Sequence, residues 1–177
     1  MSRLLAVALL LLCGVGSALG TSTEEVPPRF SDFPVHEAYR EKPAPAQPAS
    51  AFDHRFRTVI RKGAEHGPNF AGHYTVVIWG CGTSCAQFVI VDALSGRVYD
   101  PPFRSVVGGD ANGSLRNWGL HFQLDSALFI AQGCPEEKDC ATRYYKWNGE
   151  SLVLLRAGPV ERFREPPYVP PSVIVKP

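Results

Sequence analysis

The chain has 177 residues, with 18 Lys and Arg against 17 Asp and Glu. This balance argues against the basic face that nucleic-acid binders use to displace counterions, and against a polybasic membrane anchor. About 110 residues look foldable, enough for one modest core and not for two.

The N-terminus reads as an export signal. Arg3 supplies a positive start, and Leu4 to Leu12 form an apolar run too short to span a bilayer. Ala18-Leu19-Gly20 then places small residues where a signal peptidase cuts. Residues 1–20 are therefore set aside, and the mature chain is expected to begin near Thr21, in the periplasm or outside the cell. A lipid on Cys13 is the weaker reading, because bulky Leu12 precedes it. Four cysteines remain: Cys81, Cys85, Cys134 and Cys140. In an oxidising compartment an even number reads as two disulfides. Their spacings are not those of zinc knuckles, and the scattered histidines make no metal set, so no cofactor is expected.

Residues 21–49 carry Pro27, Pro28, Pro34, Pro43, Pro45 and Pro48, which remove backbone donors and favour extended chain. This stretch reads as a tether, residues 50–165 as a single domain, and residues 166–177 as a second Pro-rich tail. The domain opens with one helix. Ser50 can cap it with Asp53 three residues on, and Phe52, Phe56, Val59 and Ile60 make one apolar stripe that stops at Gly63.

Strands follow. His73 to Trp79 and Gln87 to Val91 are apolar on both faces and should be central; Arg97 to Tyr99 returns across a turn at Gly96. Leu120, Phe122 and Leu124 alternate with His121, Gln123 and Asp125, the pattern of a half-buried strand. Ala127 to Gln132 is next. Asn148-Gly149 then separates Tyr144–Trp147 from Ser151–Leu155, and a two-residue turn there pairs Tyr145 with Leu152. The fold expected is mainly β: an antiparallel meander, as a sandwich or partly open barrel, with one N-terminal helix.

The densest segment is Asn69-Phe70-Ala71-Gly72-His73-Tyr74 followed by Trp79-Gly80-Cys81-Gly82-Thr83-Ser84-Cys85 and a strand ending Val91-Asp92. Here the chain resembles a group of small uncharacterised exported bacterial proteins with the same words in the same order. The match covers about Gly67 to Tyr99, and it implies an exported β protein without implying a mechanism. Physically, the segment brings His73, Tyr74, Trp79, Thr83 and Ser84 to a loop that Cys81 and Cys85 would clamp. The plainer reading is a packed core with a stapled turn. Redox chemistry fits poorly, since thiol oxidoreductases use x2 spacing at a helix start.

Two loops add candidates. Pro101 to Trp118 is long and glycine-rich, with Arg104, Asp110, Arg116 and Trp118 as contact residues. Glu136, Glu137 and Asp139 lie between Cys134 and Cys140, an acidic tip stapled at its base. Local pairing, Cys81–Cys85 and Cys134–Cys140, is expected because hairpin ends already bring Cα atoms within bridging range. No complete catalytic set is assembled. A binding protein of the envelope, as an inhibitor or immunity-type protein facing another protein, fits best. The alternatives are a small hydrolase using His73 or His121 beside the Cys81–Cys85 loop, and a structural envelope domain.

Overall fold

The computed structural model describes residues 26–108 and 119–160. Two helices, α1 (Ala51–Arg55) and α2 (Arg57–Ala64), precede eight strands: β1 (Tyr74–Gly82), β2 (Cys85–Asp92), β3 (Val98–Tyr99), β4 (Ser105–Val107), β5 (Leu120–Phe122), β6 (Leu128–Pro135), β7 (Ala141–Trp147) and β8 (Leu152–Gly158). All pair antiparallel in one open sheet of order β1-β2-β4-β6-β7-β8, with β3 beside β2 and β5 beside β6. This is the expected mainly-β meander.

The sheet is rolled, because its inner face is aromatic and must be covered. Phe88 of β2 stacks on Phe129 of β6 at 5.3 Å, and Tyr74 at the head of β1 meets Trp147 of β7 at 5.0 Å. Phe70, Val76, Ile78, Ile90, Phe122 and Leu152 complete that interior. The Tyr74 hydroxyl donates to the Gly149 carbonyl across the roll, at 3.3 Å.

The first helix begins as its sequence dictates: the Ser50 hydroxyl accepts from the Asp53 amide at 3.0 Å, and the Asp53 carboxylate accepts from the Ser50 amide at 2.9 Å. One helix was expected and two short ones form, because Phe56 leaves the helical region (φ −106°, ψ 16°). The apolar stripe survives the break. Phe52 and Phe56 lie 6.0 and 5.1 Å from the Trp79 ring, and Val59 and Ile60 cover Val77, Val89 and Val91 on the outer face of β1 and β2.

Residues 26–49 differ from the tether expected of them. They form a strap laid along the domain. The amides of Val35, Tyr39, Ala44 and Gln47 donate to the carbonyls of Asp125, Gly72, Ala93 and Gly96 at 2.8–2.9 Å. Phe30 and Phe33 pack on Leu128, Ile130 and Tyr144, making a third apolar cluster. The prolines removed some donors, but the residues between them kept theirs, and those reach the domain.

Two further expectations are corrected. The β7–β8 connection is a four-residue turn: Trp147 pairs with Leu152 and Tyr145 with Leu154. The Asn148 side chain accepts the Glu150 and Ser151 amides at 2.9 and 2.8 Å, which closes the wider turn. On β5, His121 is buried along with its neighbours rather than solvated. Its imidazole Nε2 lies 3.0 Å from the Gln132 side-chain oxygen.

Candidate functional site

The residues singled out in the sequence separate into two groups at opposite ends of β1. Eight residues at about 3.3 Å each put His73 and Cys81 on the order of 25 Å apart. A histidine working beside the Cys81–Cys85 loop is therefore not what His73 provides.

At one end lie both disulfides. Cys81–Cys85 closes the β1–β2 hairpin with a Cα separation of 5.1 Å, and Cys134–Cys140 closes the β6–β7 loop with 4.0 Å. The pairing is the local one. β4 stands between the two tips: Cys85 pairs with Val107, and Val107 pairs with Cys134. Two strand spacings put the staples about 10 Å apart. Both tips are also tied to β4 and its flanks. Gly108 donates its amide to Ser84 at 2.9 Å, Glu136 donates its amide to Ser105 at 3.1 Å, and the Glu136 carboxylate accepts the Arg104 amide at 2.7 Å.

Backbone strain gathers here. Among the described residues, five non-glycine residues hold positive φ: Ala71, Ser84, Glu136, Glu137 and Asp139, at 43°, 54°, 51°, 62° and 41°. Four of these five belong to the two tips, where side chains with a Cβ adopt such angles at a cost of about 1–3 kcal/mol each. The cross-links hold them there. Thr83, Glu137 and Asp139 are exposed, and Ser84 is half-buried. Glu136 is exposed as well, but its carboxylate is engaged by the Arg104 amide, so it pins the tip. The Asp139 carbonyl accepts from the Arg143 guanidinium at 2.7 Å. The Arg104 side chain turns away from the tips, over the Phe52 ring at 4.6 Å and 3.8 Å from the Asp100 carboxylate. Asp110, Arg116 and Trp118 lie outside the described residues.

At the other end stands His73, its side chain one-third exposed and its Nε2 3.8 Å from the Asp92 carboxylate. Its ring lies 4.1 Å from the Tyr74 ring, tilted by 34°, and lines an open depression of about 700 Å³ with His36, Glu37, Arg40 and Glu41 of the strap. Sequence reasoning missed these strap residues, since nothing local marks where an extended segment docks. Asp92 also accepts from the Leu94 amide at 2.8 Å and from the Ser95 hydroxyl at 2.6 Å. The order is serine, carboxylate, imidazole. In nucleophilic catalysis the imidazole must lie between the other two to take the hydroxyl proton. Among the described residues, no group of three or more His, Cys, Asp and Glu residues could hold a metal ion.

The remaining motif residues have architectural duties. Asn69 binds both backbone groups of Val76, accepting its amide at 2.7 Å and donating to its carbonyl at 3.1 Å. Gly72 (φ +84°) sits where a Cβ would press on the Glu37 carbonyl of the strap. Burial pushes the Tyr74 phenol above its ordinary pKa. Trp79 is buried beneath α1 and α2 and donates its indole proton to Gln87 at 3.1 Å, so it offers no contact surface. Comparison with protein-family models, with curated proteins and with solved structures finds no match to the chain.

Proposed function

We propose that this is an exported binding protein, which acts in the periplasm or outside the cell as an inhibitor or immunity-type protein and contacts another protein through its stapled end. The single observation that carries the reading is the juxtaposition of two cross-linked, strained tips on either side of β4. Loops fixed before contact lose little conformational freedom on binding, which leaves more of the contact energy as affinity. The exposed carboxylates of Glu137 and Asp139 would steer a basic partner and set its rate of arrival. Two disulfides fit an oxidising compartment, in line with the signal pattern of residues 1–20. Among the described residues, no helix is long and apolar enough to cross a membrane.

The test is capture from envelope and culture-supernatant fractions by the oxidised protein, followed by association kinetics with the captured species. Replacing Glu137 and Asp139 by Ser should slow association and flatten its salt dependence, with folding unchanged, while His73→Ala should bind as the parent does. Unchanged kinetics for the tip variant would remove the tip from the interface.

A second reading, a small hydrolase, has one observation in its favour: the partly exposed His73–Asp92 pair on its open depression. In that case His73→Ala would abolish turnover and leave the melting temperature nearly unchanged.

A further inference from the structure

The strap crosses α2 without closing against it. A hollow of about 440 Å³ remains between them, and small-molecule sites have volumes of roughly 300–1,000 Å³. It shares no lining residue with the stapled tips or with the depression beside His73. Small side chains keep it open: Ala44 and Ala46 on the strap side, Ala64 on the helix side. Ala46 and Ala64 are buried in the cluster that holds Val59 and Ile60, so the apolar lining is continuous with the core. Pro43 and Pro45 line the wall and have no N–H to offer, and the Ala44 amide is already donated to the Ala93 carbonyl at 2.8 Å.

The charged residues at this hollow are Lys42, Arg61 and Glu65, all exposed. Among the described residues the ion pairs are His73–Asp92 and Arg104–Asp100, so these three are not paired with one another. Arg61 stands in the last turn of α2, where a cation commonly serves the free carbonyls of a helix end. Here those carbonyls have other partners. The Arg61, Gly63 and Ala64 carbonyls accept the amides of Glu65, His66 and Gly67 at 3.2, 3.3 and 3.1 Å, and the Lys62 carbonyl lies 3.0 Å from His66 Nδ1. The Arg61 guanidinium is therefore not spent on the helix end. Two cations against one carboxylate leave one surplus positive charge beside an apolar lining.

We propose that this hollow binds a small amphiphilic monocarboxylate. Arg61 holds the carboxylate, which suits the fork of a guanidinium, and Lys42 adds positive field. The hydrocarbon body lies on the alanines and prolines. Glu65 repels a second negative charge, so a monoanion is taken in preference to a dianion.

Titration of the full oxidised protein with hexanoate, followed by nuclear magnetic resonance, tests this. Hexanoate should shift the amides of Ala44, Ala46 and Ala64 saturably, with a Kd on the order of 1 mM. Hexanol lacks the charge and acetate lacks the body, and each should bind about tenfold more weakly or worse. Hexyl phosphate in its dianionic form should bind more weakly than hexanoate, and Glu65→Gln should remove that preference. Arg61→Gln should weaken hexanoate about tenfold and keep the melting temperature, since the side chain is exposed and the carbonyls of the last turn keep their partners. Ala44→Leu should fill the hollow and block hexanoate with both cations still in place. The absence of a saturable shift at those three amides overturns the proposal. So does acetate binding as tightly as hexanoate, which would reduce the site to a bare pair of cations. Tighter binding of hexyl phosphate overturns the choice of a monocarboxylate. Should Ala44→Leu loosen the strap, seen as altered shifts at Tyr39 and Gln47, the comparison of parent with Arg61→Gln still decides.

Discussion

Asn69 and Gly63 show how single residues hold this fold. The Asn69 amide takes the place of a neighbouring strand for Val76, satisfying one donor and one acceptor that are both buried. Asn69→Ala leaves those two groups without partners and should cost about 1–3 kcal/mol for each buried group left unsatisfied, seen as a lower urea midpoint. A midpoint unchanged from the parent would mean that water replaces the amide. Gly63 lies in α2 where the helix crosses β1, and a Cβ there would fall inside van der Waals contact with the methyl groups of Val77. The sequence presented Gly63 as a helix stop. It stands inside α2 for a different reason, close approach, which depends on what lies across from it. Asn69 was visible as part of a word pattern, but its duty was not, because a side chain that mimics a strand leaves no periodic signal. His73 illustrates the same limit: its residue type suggested chemistry, and the serine–carboxylate–imidazole order that argues against a triad depends on the Asp92 turn.

Elements with a strong local cause were legible. The β1–β2 hairpin, the Ser50 cap and the two local disulfides each follow from neighbours in the chain. β4 was not legible. Its three residues lie within what read as a long loop, and three residues carry no usable alternation. Yet β4 joins the β1–β2 side of the sheet to the β6–β8 side and sets the distance between the staples. The strap was misread for a related reason: composition counts donors lost to proline, and docking depends on where the surviving ones point. Gly72→Ala tests the strap as an element. The new Cβ would press on the Glu37 carbonyl and would have to be held at φ +84°. Hydrogen exchange at Tyr39 and Ala44 should quicken by a large factor, while amides in β6 and β7 keep their protection. Equal protection throughout would mean that the strap adjusts without lifting.

For the whole molecule, the interior rests on aromatic packing between distant strands, and the cross-links are peripheral. A chain-entropy estimate gives each short staple about 2 kcal/mol. The contacts of Phe88 with Phe129 and of Tyr74 with Trp147 do not depend on either disulfide. Reduction should therefore lower the melting temperature while far-ultraviolet circular dichroism still reports the sheet, and the two tips alone should become susceptible to protease. Loss of the β spectrum on reduction at room temperature would show that the staples support the core. Both staples lying at one end, away from His73, make that end the part of the molecule whose shape depends on the redox state of its surroundings.

The strap's mode of attachment has an evolutionary consequence. Between Val35 and Gln47 four amides fasten it, and an amide is the same in every residue but proline. Side chains between those anchor points can change while the path stays fixed. Sequence drift should therefore concentrate at positions 36–38 and 40–42, bounded by the conserved need for a donor at 35, 39, 44 and 47. Because positions 36–38, 40 and 41 rim the depression beside His73, the character of that hollow can change from one descendant to the next without disturbing the domain beneath it.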